Sequence, residues 1–347
     1  MKKIIGFLLL IIVAVVAYFG YQFYKKNYTD NVAKEGYILI PHQSKFEAII
    51  DSISPYLKDK EAFVEVAKAK NMNRFFNAGR YRIRKGTNNT DLVNMIKAGN
   101  QTDLPFRIGA FGNVYTMIGR VARKTEIDSL TFIKGLHEIA INKGYQDAED
   151  LKKYFFIDTY NFFWTVTPEA FFQKFEKQYN EFWTPENIAK EKELGLTREQ
   201  IYALASIVYK ESGGKPDEMK TIAGLYLNRY EKGMKLQSDP TVIYAIQKDK
   251  GFHVQIKRVL NRHLKYNSPY NTYANKGIPP APICITDKNS VLAVLNAEEN
   301  DYIYMCADPE NWGFHKFTKS SIEHQANAKK YQNWLTQKQR EQNNKKK

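Results

Sequence analysis

The chain has 347 residues, and its composition is that of a folded protein with a strong positive charge. Hydrophobic residues make up 43% and aromatic residues 14%, which excludes a disordered chain and allows two compact domains. The formal net charge of +15 favours an anionic partner. Because no nucleic-acid-binding motif accompanies the charge, lipid headgroups or acidic polymers are the better candidates, with a merely basic surface as the alternative.

The first segment is an apolar run from Ile4 to about Tyr24, with lysines on both sides. At about 1.5 Å per residue, a helix of this length spans the roughly 30 Å core of a bilayer. The stretch Val15-Val16-Ala17 is a weak signal-peptide cleavage site, but aromatic residues continue the apolar run beyond it, as in an interfacial belt. We therefore predict a cytoplasmic tip and a retained transmembrane anchor over residues 1–26.

Residues 35–100 are predicted to form a small module of short strands and helices. Ser44 is expected to cap a helix that runs through Leu57, and residues 59–69 are expected to form a second helix. A strand at Tyr81 to Ile83 then precedes a third helix. This pattern fits a LysM-like carbohydrate module, with a plain spacer as the alternative interpretation.

One helix of the C-terminal half is predicted to place a carboxylate in its apolar stripe. Thr197 and Gln200 have the spacing of a capping box, and the pair Gly213-Gly214 can end the helix in the left-handed conformation. At about 100° per residue, Glu211 lies within roughly 20° of Leu204 and shares its buried stripe. Burial and the helix dipole both raise the pKa of this carboxyl group, which makes Glu211 a candidate general acid. The alternative is a surface glutamate at a frayed helix end.

Polar residues that could bind a ligand follow this helix. Because Pro240 disfavours helical backbone in the residue before it, residues 237–239 are expected on a turn facing a cleft, with a plain helix N-cap as the alternative. The loop at residues 268–273 combines amide and hydroxyl groups with aromatic faces, the chemistry that sugar rings need. The candidate binding residues are Gln237, Ser238, Asp239, Tyr244, Ser268, Tyr270, Asn271, Tyr273 and Asn228.

Five blocks of the sequence, in this order, resemble the endolytic murein transglycosylases of the YceG-like family. They are Leu204 to Ser212, Leu236 to Tyr244, Ser268 to Tyr273, Gly277 to Ile283, and His315-Lys316-Phe317 with Glu323-His324. Upstream the resemblance is weaker, since Ile157 replaces the proline of a Pro-Asp-Thr-Tyr signature. The run Ile108 to Gly112 also lacks the glutamate of the family's Pro-Glu-Gly turn.

The resemblance implies a membrane-anchored enzyme that cuts nascent peptidoglycan strands internally and leaves a 1,6-anhydro-N-acetylmuramic acid end. On that mapping Glu211 corresponds to the catalytic acid and base. Tyr209 stands where the family commonly has a second glutamate, which sharpens the assignment to Glu211. The implied partners are peptidoglycan strands, the lipid bilayer through the N-terminal helix, and peptidoglycan synthases as candidates. No cofactor and no nucleic acid are expected. The implied location is the cell (inner) membrane, single-pass, with the C-terminal domains outside.

The whole chain is therefore predicted to have an α+β fold in five parts. These are the anchor at 1–26, the LysM-like module at 35–100, a helical connecting region at 101–195, a mixed α+β catalytic domain at 196–336, and a polar basic tail at 337–347. Cys284 and Cys306 fit no short-spaced metal or redox pattern. They are either bridged or two unpaired thiols.

Three other functions compete with this interpretation. A muramidase would use Asp239 beside Glu211 as base or nucleophile, although an aspartate before a proline at a helix start is usually structural. A non-catalytic wall-binding scaffold would need no acid at all. A zinc hydrolase would need clustered histidines, but none has the spacing of a helical ligand pair, and His137-Glu138 lacks a second histidine. Its candidate ligands would be His253, His263, His315 and His324.

Overall fold

The computed structural model describes residues 2–344 and has the mixed α+β composition that the sequence predicts. The chain divides into two compact units. The first runs up to Phe106 and also contains Val121–Ser129 and Asn161–Thr167. The second contains Arg107–Arg120, Leu130–Tyr160 and the chain from Pro168 onward.

The first unit follows an order of helix, strand, two helices, strand and helix. Its elements are α1 (Lys2–Tyr28), β1 (Gly36–Ile40), α2 (Phe46–Ile53), α3 (Lys60–Ala69), β2 (Gly79–Ile83) and α4 (Asn89–Ala98). Strands β1 and β2 pair antiparallel, with Ile38 opposite Tyr81. Alternate residues of β1 face inward, so Ile38 and Ile40 are buried while Tyr37 is exposed. The LysM-like character of this unit stays a prediction.

Most local predictions for this unit hold, but the start and end of α2 differ from expectation. The residue before α2 is Lys45, which makes no side-chain capping bond, so the predicted Ser44 cap is wrong. The α-helix also stops at Ile53 and continues only as a 3-10 turn, because Pro55 cannot supply the N–H that a longer α-helix needs. By contrast, the second helix is present as expected, over Lys60–Ala69, and Asp59 caps it, with Oδ1 accepting from the Ala62 N–H at 2.9 Å.

Among residues 2–344, α1 is the one helix long and apolar enough to cross a membrane. Its apolar side chains are exposed along almost the whole length, so the rest of the protein does not cover them. Its last turn is bonded to α4 of the same unit, since the Asn89 side chain donates to the Lys26 carbonyl at 2.8 Å. By length and composition, α1 agrees with the predicted anchor, and the same test is passed by signal sequences.

From residue 104 onward the chain is mostly helical, with two further two-stranded sheets. The helices are α5 (Val114–Ala122), α6 (Ser129–Asn142), α7 (Pro168–Phe182), α8 (Pro185–Leu194), α9 (Arg198–Ser212), α10 (Met219–Glu231), α11 (Asp239–Lys250), α12 (Asn261–Leu264), α13 (Lys288–Leu295) and α14 (Ser321–Asn344). The strands are β3 (Leu104–Ile108), β4 (Asp158–Phe162), β5 (Tyr304–Ala307) and β6 (His315–Thr318). Strand β3 pairs with β4, and β5 pairs antiparallel with β6. Of the predicted tail, residues 337–344 continue α14, and 345–347 lie outside the described residues.

Helix α9 is the centre of the second unit. All residues from Ile201 to Val208 are buried, so the helix is covered on every face rather than along the single stripe that the sequence predicts. Its neighbours include α10, α11 and α13. Phe171, Phe172 and Phe175 of α7 are also buried. Because α9 is fixed on all sides, the residues at its C-terminal end are held in place.

Candidate active site

Glu211 lies on the last turn of α9, where local sequence signals determine the geometry. The predicted capping box is present: Thr197 Oγ1 accepts from the Gln200 N–H at 3.3 Å, and the Gln200 side chain accepts from the Thr197 N–H at 2.9 Å. Gly213, with φ of 62°, ends the helix in the left-handed conformation. The carboxyl group of Glu211 is thus presented from the end of a rigid helix.

Two hydroxyl groups donate to the same oxygen of Glu211. Ser238 Oγ donates to Oε1 at 2.6 Å, and Tyr226 Oη donates to Oε1 at 3.0 Å. Within residues 2–344, these are the side-chain hydrogen bonds of this carboxyl group, so Oε2 is the oxygen left to meet a ligand. The hydroxyl groups therefore orient the carboxyl group without covering both of its oxygens.

The environment of Glu211 favours its protonated form. Burial raises its pKa above the usual value, and nearby Asp239 acts in the same direction. The hydrogen bonds from Ser238 and Tyr226, and the charge of His315, lower the pKa but do not overcome the effect of burial. A carboxyl group with a raised pKa, set at the edge of a cavity, is suited to general acid catalysis.

The segment that carries Ser238 is held by Arg229 of α10. The Arg229 guanidinium donates to the carbonyl of Leu236 at 2.8 Å, to Gln237 Oε1 at 3.3 Å and to the carbonyl of Ile303 at 2.6 Å. Gln237 has a positive φ of 54°, which is uncommon for a residue with a side chain. The surrounding hydrogen bonds keep this turn in a conformation that delivers the Ser238 hydroxyl to Glu211.

Glu211 lines a cavity of about 430 Å³. Its walls come from α9, α10, α11, the loop after α12, the β5–β6 sheet and α14. The lining residues are Glu211, Leu225, Tyr226, Arg229, Leu236, Gln237, Asp239, Tyr273, Met305, Cys306, Ala307, His315 and His324. Of the predicted binding residues, the structure thus brings Gln237, Asp239 and Tyr273 to this cavity, and Ser238 contacts Glu211 directly.

Asp239 differs from its predicted setting. It is the first residue of α11, and the N-cap position belongs to Ser238, whose backbone is extended. The expectation that Asp239 sits on the preceding turn, or caps the helix, is therefore wrong. Instead its Oδ1 accepts a hydrogen bond from Tyr273 Oη at 2.7 Å. Asp239 and Tyr273 form a pair on the wall of the cavity.

Two predicted binding residues, Tyr244 and Tyr270, line a different cavity, of about 830 Å³. Their rings pack edge to face with centroids 4.8 Å apart. Buried Lys152 donates to Tyr244 Oη at 3.1 Å and forms an ion pair with Glu149. Any contact of Tyr244 or Tyr270 with a ligand would therefore be made outside the cavity of Glu211.

The remaining predicted binding residues hold loops together. Asn271 is fully buried, and its amide donates to the carbonyls of Leu264 at 3.0 Å and Tyr266 at 2.8 Å. Ser268 Oγ accepts from the Tyr270 N–H at 3.3 Å. The Asn228 amide donates to two backbone carbonyls of the segment before β5 and lines a third cavity, of about 750 Å³. Their contacts are those of structural residues.

Sequence reasoning did not single out Tyr226 or Arg229, because a tyrosine and an arginine on a mainly apolar helix resemble core and surface residues. His315 and His324 belong to the closing block of the resemblance and are the candidate zinc ligands that line the cavity of Glu211. In the structure His315 Nδ1 is 2.9 Å from Glu218 Oε2, and His324 stacks on Tyr304.

Within residues 2–344, no three His, Cys, Asp or Glu side chains are grouped so as to hold a metal ion. Cys284 and Cys306 are free thiols.

Comparisons with known proteins identify the family of this chain. The sequence profile of the YceG-like family matches residues 38–330. The endolytic murein transglycosylase of Bacillus subtilis is 30% identical over 337 residues, which cover 90% of each chain. That of Streptococcus pneumoniae D39 is 32% identical over 117 residues, or 34% of this chain and 21% of that protein. A solved yceG-like protein of Listeria monocytogenes shares the fold, with a TM-score of 0.55 and 22% identity over 84% of this chain and 98% of that one. The chain therefore belongs to the YceG-like family.

Proposed function

We propose that this protein is a membrane-anchored lytic transglycosylase that cuts peptidoglycan glycan strands internally and leaves 1,6-anhydro-N-acetylmuramic acid ends. The observation that carries the proposal is the carboxyl group of Glu211, with its raised pKa and its two hydroxyl donors, at the edge of a cavity. The names of the relatives in Bacillus subtilis and Streptococcus pneumoniae support the same reaction.

One carboxyl group is enough for both proton transfers. Protonated Glu211 donates its proton to the glycosidic oxygen as the bond from that oxygen to C1 of the muramic acid breaks through an oxocarbenium-like state. The resulting carboxylate takes the proton of the sugar's own C6 hydroxyl while O6 bonds to C1. No water is consumed, and Glu211 ends protonated as it began. Because the nucleophile belongs to the substrate, its effective concentration exceeds that of a diffusing one.

The two donors to Glu211 fit its double role. Ser238 and Tyr226 stabilise the carboxylate that exists between the two proton transfers, while burial raises the pKa of Glu211 and favours the protonated form that the first transfer needs. Gln237 lines the same cavity, and its side-chain amide is a candidate donor to the substrate's N-acetyl group.

A muramidase is the second candidate, because Asp239 lines the cavity of Glu211. In that reaction Asp239 would activate a water molecule or attack C1. Its Oδ1 already accepts a hydrogen bond from Tyr273 at 2.7 Å, which favours a positioning role over attack on C1. We therefore place the transglycosylase first.

The anchor would hold the enzyme at the membrane surface. Helix α1 has the length and exposed apolar surface that a single bilayer-spanning helix needs. We propose that it confines the second unit to strands that emerge at the outer face of the cell membrane, where peptidoglycan synthases would be neighbours. Continuous cleavage there would terminate strand elongation.

The product ends test the proposal directly. Purified full-length protein should convert glycan strands into fragments with anhydro ends, which weigh about 18 Da less than hydrolysed ends and resist borohydride reduction. Mass spectrometry of the digest measures both properties. Asp239→Asn should keep the anhydro ends, because an asparagine oxygen can still accept from Tyr273. Reducing ends in the wild-type digest that disappear in Asp239→Asn would establish the muramidase instead.

The pH dependence of cleavage should respond to Ser238. Its hydroxyl favours the charged form of Glu211, so Ser238→Ala raises the pKa of Glu211 further. Since the enzyme needs Glu211 protonated, the alkaline limb of kcat/KM should move to higher pH in the variant. Ser290→Ala is a matched control, because Ser290 donates to Asp287 and should leave the profile in place. An unmoved alkaline limb in Ser238→Ala would argue against Glu211 as the titrating acid.

A further inference from the structure

Three aromatic side chains form a cluster on the second unit, in which Trp312 is exposed and Tyr331 and Trp334 are half-buried. Trp312, in the loop between β5 and β6, is 70% exposed, and its ring centroid lies 5.1 Å from that of Trp334 on α14. Tyr331 stacks on Trp334, with centroids 5.9 Å apart and planes inclined by 19°. We call Trp312, Tyr331 and Trp334 the aromatic platform. An exposed indole ring supported by two half-buried aromatic rings offers an apolar face to a ligand.

The loop that carries Trp312 is held by several hydrogen bonds. The Asp308 N–H donates to the Phe314 carbonyl at 2.8 Å, and the Phe314 N–H donates to the Asn311 carbonyl at 3.1 Å. Lys215 donates from outside the loop to the carbonyl of Gly313 at 3.2 Å. These hydrogen bonds hold the loop in the conformation that exposes Trp312.

The elements that carry the platform also line the cavity of Glu211. The loop joins Ala307 to His315, which face each other in the β5–β6 register and both line the cavity. Helix α14 contributes His324 to the same cavity. Tyr331 follows His324 by seven residues, which places it about 10.5 Å along the helix and within roughly 20° of the same face. A polymer leaving the cavity past these histidines would meet the platform next.

We propose that the aromatic platform binds sugar units of the glycan strand that lie beyond the bond being cleaved; this inference rests on the proposed function. Pyranose rings have apolar C–H faces and polar edges, and the rings of Trp and Tyr offer large apolar faces with an N–H or O–H at the rim. The platform thereby makes the enzyme prefer long strands to short oligosaccharides and favours internal cuts.

The test compares long and short substrates with full-length protein in detergent micelles. Trp312→Ala should raise KM for glycan strands freed of stem peptides by about fivefold to tenfold with kcat unchanged, as expected for the loss of one aromatic contact. For oligosaccharides that fill only the cavity, the variant should match the wild type. Trp312→Phe should restore part of the affinity. Leu130→Ala, at another exposed apolar residue of this unit, should change neither constant.

A binding measurement separates this inference from the proposed reaction. In a Glu211→Gln background, glycan strands should shift the tryptophan emission, and the shift should be smaller in Trp312→Phe, which keeps Trp334 on the platform. If the wild type makes no anhydro ends, the proposed function fails while this binding result still decides on the platform. An unchanged KM for long strands in Trp312→Ala would overturn the inference. So would a Trp312-dependent emission change with phosphatidylglycerol vesicles and none with glycan, because the platform would then be a membrane contact.

Discussion

Glu211→Gln is expected to abolish strand cleavage, with a loss of activity on the order of 10³-fold or more. The amide of glutamine cannot give a proton to the glycosidic oxygen, and no carboxylate forms to take the C6 proton. Its side-chain oxygen can still accept from Ser238 and Tyr226, so the site should keep its geometry. The measurement is the rate of appearance of anhydro ends by mass spectrometry. Glu199→Gln, on the first turn of the same helix, is the matched control and should remain active.

The stability of the same variant shows whether Glu211 serves catalysis or the fold. The pKa of Glu211 is raised in the folded state, so protonation of this group stabilises the fold. That contribution to the free energy of unfolding is fully present below the unfolded pKa of about 4.3 and is lost as pH rises through the folded pKa. Above that pH the wild type carries a buried charge that glutamine does not. Glu211→Gln should therefore have an equal or higher Tm at neutral pH, and the difference should vanish near pH 4. A Tm several degrees lower at neutral pH would indicate a structural role.

The features that the sequence predicts best are those fixed by neighbouring residues. Thr197, Gln200 and Gly213 determine both ends of α9 by local hydrogen bonding and backbone conformation, so the position of Glu211 on its last turn follows from them. Asp59 and Asn88 cap their helices for the same reason. Such signals need no knowledge of the tertiary structure.

What the sequence could not predict depends on contacts between distant segments. Tyr226 reaches Glu211 because α10 packs against α9, and nothing in the spacing of α10 distinguishes this tyrosine from a core residue. Tyr244 has the aromatic character of a sugar contact, but the rotation of α11 turns it toward Lys152 and another cavity. Asn271 has the donors of a ligand-binding amide, and the folding of its own loop uses both of them.

Arg229 helps to hold the site although the sequence does not predict this role, and its replacement should lower the stability of the protein substantially. It is only 7% exposed, and its guanidinium serves the backbone carbonyls of Ile303, Lys235 and Leu236. Arg229→Met keeps much of the volume but leaves these acceptors without their donor. An unsatisfied buried polar group costs about 1–3 kcal/mol, so we expect a loss of about 3 kcal/mol in the free energy of unfolding, allowing for partial relaxation.

In a unit of this size, such a loss should lower Tm by about 6–12 °C, measured by calorimetry of the full-length protein. The Tm of Arg229→Lys should lie between those of the wild type and Arg229→Met, because an ammonium group cannot reproduce the planar guanidinium that donates to several carbonyls at once. Arg262→Met removes an exposed arginine and should change stability by no more than about 0.5 kcal/mol. If Arg229→Met unfolds at the wild-type temperature, the segment from Leu236 to Ser238 is held by other contacts. Cleavage by the folded fraction of Arg229→Met should also fall, because Arg229 holds the turn that brings Ser238 to Glu211.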